Sequence, residues 1–327
     1  MFPEIRPDQA AERIHGEVRD TPLTRFPWAL DPRIELRLKL ECLQVTNSFK
    51  ARGAWNQIVQ LSAAERAAGV VTASSGNHGR ALAWAAQRAG VRATICMPQD
   101  AYPSKIEACR ELGAEVLFGA TRDEAEALCR ERAAAGQVLI PPYDAARTIE
   151  GAGTVGLEIA QQWPEVEVVV VCVGGGGLLA GSSLALRRAL GDRVRIYGVE
   201  PEGAPAMQRS LAAGEPVRLE RIETAIQGLC PPTAGALPVE ICKQTVDAVF
   251  TLPDAEILAA QEALVAGGWT VEPAGAAATA LVRSGGLPPE LLEGRSAANP
   301  LRVAATVSGG NPDPAQLAEL QARLGQR

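Results

Sequence analysis

Glu41-Cys42-Leu43-Gln44-Val45-Thr46-Asn47-Ser48-Phe49-Lys50-Ala51-Arg52-Gly53-Ala54 joins two patterns of opposite kind. Before it, Ile34, Leu36, Leu38 and Leu40 alternate with Glu35, Arg37 and Lys39. A period of two predicts a half-buried strand. After it, residues 51–61 are helix formers with apolar positions at helical spacing, so Lys50 falls where a strand has ended and a helix begins, with Asn47 or Ser48 as the cap. A lysine in a first helical turn opposes the helix dipole, which favours anions there. Such an amine is either neutralised by bonding or turned toward a bound anion. A lone lysine is more often a solvated side chain, so the rest of the chain has to decide.

Outward from Lys50 the pattern becomes regular. Strands are predicted over 69–73, 91–97, 114–118 and 138–140, with helices over 80–89, 104–112 and 121–135. A succession of βα units predicts a parallel sheet with helices on both faces. Beyond Gly153 a helix runs to about Gln162, and the apolar run 166–173 reads as a fully buried strand. It leads into Gly174-Gly175-Gly176-Gly177 and a helix over 178–190. A strand over 194–199 ends at Glu200-Pro201. Asp254 is expected to cap a helix that stops at Gly267-Gly268, and Glu272-Pro273 opens another. The last strand, 303–307, delivers Ser308-Gly309-Gly310-Asn311. Two α/β domains with parallel sheets are expected: a small one over 65–145, inserted into a large one formed by 1–64 and 146–327.

The 327 residues are 47 % hydrophobic and carry a net charge of −6 without any Lys/Arg-rich run. Nucleic acid and anionic membrane are therefore not expected as partners. The N-terminus lacks a signal-peptide core, and the longest apolar run is too short to span a bilayer, so a soluble, cytoplasmic protein is expected. Seven cysteines without a Cys-x-x-Cys pair indicate neither a disulfide framework nor a zinc site. His15 and His78 are the only histidines, too few for a His-based metal site.

Three loops carry candidate chemistry. Gly174 to Gly177 follows a buried strand and opens a helix, so bare backbone amides and the helix dipole form an anion cradle. The run Gly175-Gly176-Gly177-Leu178-Leu179-Ala180 also fits the dinucleotide pattern G-x-G-x-x-A, with Glu200 near the ribose position. By itself that supports an NAD-dependent oxidoreductase. Ser74-Ser75-Gly76-Asn77-His78-Gly79 places several donors at a helix N-terminus, more than a cap requires, and suits a carboxylate. Ser308-Gly309-Gly310-Asn311 is either a third site loop or a plain turn.

The segments Ser48-Phe49-Lys50-Ala51-Arg52-Gly53-Ala54, Ser74–Gly79, Gly174–Leu178, Glu272-Pro273-Ala274-Gly275-Ala276 and Ser308–Asn311 resemble, in order and spacing, those of the serine/threonine dehydratase and serine racemase family. These are pyridoxal-phosphate enzymes of the tryptophan-synthase-β fold (fold type II), with the active site between two α/β domains. The resemblance runs from Thr21-Pro22-Leu23 to Asn311, and it leaves the NAD reading far behind. It implies that Lys50 binds pyridoxal 5'-phosphate covalently and, once freed, removes the substrate's α-proton. Phe49 would pack against the ring, and Asn77 would meet the phenolic oxygen. Gly174, Gly175, Gly176, Gly177 and Leu178 would hold the phosphate. Ser308 would face the pyridine nitrogen without holding it protonated, which favours prompt loss of a β-leaving group. Ser75, Asn77 and His78 would bind the substrate carboxylate, and Ser75 matches the second acid/base of the racemases.

The implied reaction is β-elimination of a β-hydroxy-α-amino acid such as L-threonine or L-serine to a 2-oxo acid and ammonia, in a homodimer. Racemisation on the same scaffold is the alternative. Departures from the family pattern widen the substrate class. Arg80 stands where a glutamine is common and is expected either to be solvated or to read a second carboxylate, as in 3-hydroxyaspartate. Tyr143, Pro141, Gln227 and Trp269 alter the pocket, leaving aryl-serines open, and Arg122 matches a carboxylate-side arginine. Glu200 and Ala204 match two members of a cation site of many relatives, but Ala206 replaces the acid that is its third, so no metal, or a weakly bound one, is expected there. The chain ends soon after the Ser308 loop, so feedback by isoleucine through a regulatory domain is not expected.

Overall fold

In the computed structural model, which describes residues 2–28 and 30–325, the alternating stretch before Lys50 is a strand and the stretch after it a helix. Met1, Gln326 and Arg327, at the ends of the expected 1–64 and 146–327 segments, lie outside the described residues, as does Ala29. One six-stranded sheet contains β1 (Leu23–Arg25), β2 (Ile34–Lys39), β7 (Val168–Cys172), β8 (Arg195–Pro201), β9 (Ala248–Leu252) and β10 (Leu301–Thr306), in the order β1-β2-β10-β7-β8-β9. A four-stranded sheet contains β3 (Val70–Ala73), β4 (Ala93–Pro98), β5 (Glu115–Gly119) and β6 (Val138–Leu139), in the order β5-β4-β3-β6.

Around the small sheet lie α4 (Asn77–Ala89), α5 (Pro103–Glu111) and α6 (Arg122–Ala134), preceded by α3 (Ala63–Ala68). The large sheet is accompanied by α1 (Pro7–Ile14), α2 (Lys50–Ile58), α7 (Ala146–Gln162), α8 (Gly177–Leu190) and α9 (Ala206–Ala213). Beyond them come α10 (Ala236–Thr245), α11 (Asp254–Ala266), α12 (Pro273–Arg283) and α13 (Pro314–Gly325). Neighbouring strands are parallel except β1 and β2, so the large sheet is mixed at one edge rather than parallel throughout. The 26–33 connection is too short for a crossover and can only return the chain antiparallel.

Several local expectations change. α2 starts at Lys50 with Phe49 as its cap residue, and neither Asn47 nor Ser48 caps it by a side chain. Asn47 instead adopts a left-handed φ of 57°, a conformation asparagine tolerates. The segment is held by the loop after β10: Phe49 N–H donates to Ser308 O at 3.1 Å and Gly310 N–H to Asn47 O at 2.7 Å. Asp254 is the first residue of α11, not its cap, and its carboxylate accepts Thr224 Oγ1 and Ala225 N, both at 2.6 Å. α7 begins at Ala146, before the glycines that were expected to delay it. Those glycines permit close helix packing: a Cβ on Gly153 would stand 2.7 Å from Gly181 O, and one on Gly181 would stand 2.3 Å from Ile149 O.

Lys39 departs from the alternation because β2 is an interior strand covered by α7. Its fully buried amine donates to Glu158 Oε2 at 2.5 Å and Thr21 O at 2.6 Å. Beside it, the buried Arg52 guanidinium grips both oxygens of Glu41 at 2.8 Å and also binds Glu158. Desolvation disfavours the charges of Lys39, Glu41 and Arg52; pairing outweighs it for Glu41 and Arg52, whereas burial prevails at Lys39 and lowers its pKa. This network anchors the helix whose first residue is Lys50.

Candidate active site

Parallel strands present their carboxyl ends together, and loops after such ends are where α/β sheets bind ligands. A cavity of about 640 Å³ is lined by the segments following β2, β7 and β10 of the large sheet and β3, β4 and β6 of the small one. Phe49, Lys50, Ser75, Asn77, His78, Gly174 to Gly177, Leu178 and Ser308 all line it. Residues up to 259 positions apart in sequence thus share one wall system. Arg80 is the predicted site residue that does not.

Lys50 Nζ donates to Pro142 O at 2.6 Å, and no carboxylate pairs with it among the described residues. Burial pushes its pKa down to about 8 from 10.5, because desolvation penalises the ammonium. A sizeable fraction is therefore the neutral amine near physiological pH, as a nucleophile or base requires. Its neighbour Phe49 places its ring 4.9 Å from the amine.

Gly176 caps α8 at a positive φ of 94°, which a side chain rarely adopts. At Gly175 a Cβ would stand 2.2 Å from the Tyr143 ring, and at Gly176 one would stand 2.3 Å from Met207 Cε. The loop is thus bare backbone between two side chains, at the N-terminus of a 14-residue helix. That arrangement binds a phosphate-sized anion. Tyr143 is itself fixed by a hydrogen bond from its hydroxyl to Thr233 O at 3.3 Å.

In the loop after β3, Ser74 does the capping: its Oγ accepts the amides of Gly76 at 3.3 Å and Gly79 at 3.2 Å. Ser75 and Asn77 face the cavity. His78 is buried, and desolvation, with the Lys50 charge adding to it, pushes its pKa down to about 3. The neutral ring therefore donates Nε2–H to Ile140 O at 3.0 Å. Asn77 Nδ2 donates to Glu272 Oε1, and Asn77 Oδ1 accepts from Asn311 Nδ2 at 2.8 Å. Burial pushes the Glu272 carboxyl up to about 7, against the opposing effects of Asn77 and Lys105. In the same cavity, Cys172 Sγ lies 3.0 Å from the buried Ser308 Oγ.

Glu272, Asn311 and Cys172 were missed as individual site residues. Glu272 and Asn311 sit inside motifs that were singled out, whereas Cys172 had no signal beyond its place in a valine run. At the mouth, Gln227 Nε2 donates to Tyr102 Oη at 3.0 Å and Arg122 Nη1 to Cys230 O at 3.3 Å, both across the cleft. Arg80 lines a separate cavity of about 250 Å³ behind the Asn77 loop, where its Nη1 donates to Asn311 Oδ1 at 2.5 Å. Glu200 is fully buried, and its carboxylate accepts the amides of Met207 at 2.8 Å and Gln208 at 2.9 Å at the start of α9.

Residues 14–296 match the family model described as "Pyridoxal-phosphate dependent enzyme". The chain is 45 % identical over 225 residues to an L-threonine ammonia-lyase of Thermotoga maritima, which covers 68 % of this chain and 56 % of that relative. It therefore spans little more than half the length of that protein. It is 36 % identical over 309 residues to a phenylserine dehydratase of Ralstonia pickettii, covering 94 % of this chain and 92 % of the relative. Among solved structures, maize serine racemase superposes with a TM-score of 0.86 at 32 % identity, covering 98 % of this chain and 97 % of that one.

Proposed function

The chain belongs to the family of pyridoxal-phosphate dependent enzymes, and on that premise we propose that it eliminates water from a β-hydroxy-α-amino acid, giving a 2-oxo acid and ammonia. L-Threonine and L-serine are the first candidates, and the phenylserine and threonine enzymes among its relatives extend the class to aryl-serines. The dinucleotide reading of the glycine loop falls with family membership. The observation that carries the proposal is Lys50: a desolvated amine with no acid partner among the described residues, in the same cavity as a bare glycine loop at a helix N-terminus.

The residues present fit the cofactor. Tyr143 and Met207 leave no room for a Cβ on Gly175 or Gly176, so the loop is bare backbone at a helix N-terminus. The cavity has room for a ligand of that size, and Ser308 offers a buried hydroxyl in it. Bound pyridoxal phosphate supplies an electron sink that acidifies the substrate's α-carbon. Lys50 would hold the cofactor covalently through Nζ. Once free, Nζ would take the substrate's α-proton, for which a pKa near 8 is suited. Gly174 to Gly177 and Leu178 would hold the phosphate, Phe49 would border the ring, Asn77 would donate to the phenolic oxygen and Ser308 would face the ring nitrogen, all from one cavity. Ser75, Asn77 and His78 hold the substrate carboxylate at the start of α4. The water lost with the α-proton and the β-hydroxyl is returned in hydrolysis, so the products balance as one 2-oxo acid and one ammonium.

We take residues 65–145 as a small domain closing on the one formed by 1–64 and 146–327. All four strands of the smaller sheet fall in that segment, and contacts such as Gln227–Tyr102 cross the mouth. A cytoplasmic homodimer belongs to the same proposal, by family resemblance. Racemisation is a second reading, favoured by Ser75 lining the cavity together with Lys50.

The test is the visible spectrum of the purified protein before and after L-threonine, with 2-oxo acid and ammonia measured. A cofactor band that shifts, with both products appearing, is expected, and Lys50→Ala should abolish turnover. Elimination retained in Lys50→Ala refutes its role. Exchange of the α-proton without ammonia would favour the racemase.

A further inference from the structure

Arg80 stands outside the Lys50 cavity, yet hydrogen bonds run from it to Asn77 inside. Its Nη1 meets Asn311 at 2.5 Å. A guanidinium has donors and no acceptor, so the Asn311 atom facing it has to be the carbonyl oxygen. Asn47 Nδ2, at 3.3 Å, is a second donor to the same oxygen. With its oxygen fixed, Asn311 turns Nδ2 to Thr46 O at 2.9 Å and to Asn77 Oδ1 at 2.8 Å. The Asn77 carbamoyl is then fixed in turn, with its oxygen toward Asn311 and its nitrogen toward Glu272 and the cavity. Each amide could sit either way round by a half-turn that changes its shape very little. What breaks that symmetry is the polarity of its partners, and the chain of partners ends at a group that only donates.

We propose that Arg80 is a positioning residue: through Asn311 it holds the Asn77 carbamoyl with its N–H donors facing the Lys50 cavity, where they meet an anionic oxygen of the bound cofactor. This rests on the reading of that cavity as the cofactor site. It differs from the expectation that Arg80 either is solvated or reads a second substrate carboxylate: the guanidinium lines the cavity behind the Asn77 loop and is tied to Asn311. Glu272 completes the relay from the other side. A carboxylate oxygen accepting from Asn77 Nδ2 favours the same orientation that Arg80 imposes.

The test is equilibrium titration of the full-length, cofactor-stripped chain with pyridoxal phosphate, a readout that does not depend on turnover. Asn311→Asp keeps the shape and gives Arg80 a carboxylate, but it sets an acceptor against Asn77 Oδ1 and Thr46 O. Arg80→Met removes the donor at the head of the chain. Each should weaken cofactor binding by about tenfold, the loss of one well-placed hydrogen bond. The double variant should be no weaker than Asn311→Asp alone, because both changes break one relay. Arg80→Lys, which also only donates and replaces a single-nitrogen contact, should stay within about threefold of the original. Wild-type affinity in Arg80→Met overturns the proposal, whatever Asn311→Asp does. So does a variant that raises KM for acidic amino acids alone. Asn77→Ser separates the two levels: unaltered binding there removes Asn77 from the cofactor site, whereas weakened binding there with normal Arg80→Met sinks the relay only.

Discussion

Glu200→Gln isolates a charge that the fold buries at a cost. Glu200 closes β8 and receives the first amides of α9, whose Met207 lies directly against the glycine loop. Burial pushes its pKa from 4.5 up to about 7, the two amides opposing. The folded state therefore binds the proton more tightly than the unfolded state does. Stability is highest while the carboxyl is protonated, falls as pH rises from about 4.5 to about 7, and is level above. With those two values, the loss from about pH 5 to about pH 8 is about 2.5 kcal/mol. Glutamine does not titrate. Glu272 carries a shift of the same sense but is present in both proteins, so it cancels in the difference. Denaturant unfolding of both proteins at the two pH values, in one salt, measures it. At about pH 5 the variant should be the less stable, since an amide accepts one of the two N–H groups and opposes the other. By about pH 8 it should have gained about 2.5 kcal/mol on the wild type. A difference that does not change with pH refutes the buried-charge argument. A change of opposite sign would mean that the carboxylate is stabilised in the fold, as by a bound cation.

Lys50 should be the most reactive of the four lysines, Lys39, Lys50, Lys105 and Lys243, in the cofactor-stripped protein. Its acylation, followed residue by residue in a mass spectrometer, should rise with a midpoint at about pH 8, and a midpoint at the ordinary 10.5 would contradict the desolvation. Arg52→Met leaves Glu41 and Glu158 facing Lys39 alone and should cost about 3–5 kcal/mol in urea unfolding; a loss below about 1 kcal/mol would mean the network is solvated or rearranges. In Gly175→Ala the new Cβ meets the Tyr143 ring at 2.2 Å, so cofactor affinity should fall by at least about tenfold. Adding Tyr143→Ala should recover part of it, and no recovery would mean that the backbone, not the ring, is displaced.

Much of the site was legible because its residues lie where secondary structure changes type. Asn77, Gly174 to Gly177 and Ser308 each follow a strand end closely and Lys50 opens a helix, and such boundaries are readable from the switch in hydrophobic period. The misplaced caps at Asn47, Ser48 and Asp254 share one cause. Each backbone there is fixed by a partner distant in sequence, the loop after β10 or the 224–225 turn, which local propensity does not register. The early start of α7 was hidden because glycine weakens a helix locally, while here it is what lets α7 lie against α8.

By itself the sequence determined the alternation of strands and helices, the βα order, the bare glycine turn and the lysine at a helix start, since each depends on neighbours within a few residues. Tertiary structure alone decided the charge states and orientations. Lys39 is buried because α7 covers an interior strand, and Lys50 loses proton affinity because the cavity wall excludes water. Arg80 governs the Asn77 amide because Asn311, 231 residues away in the chain, folds back between them. Desolvation and hydrogen-bond polarity depend on what surrounds an atom in space, and the chain order does not carry that information.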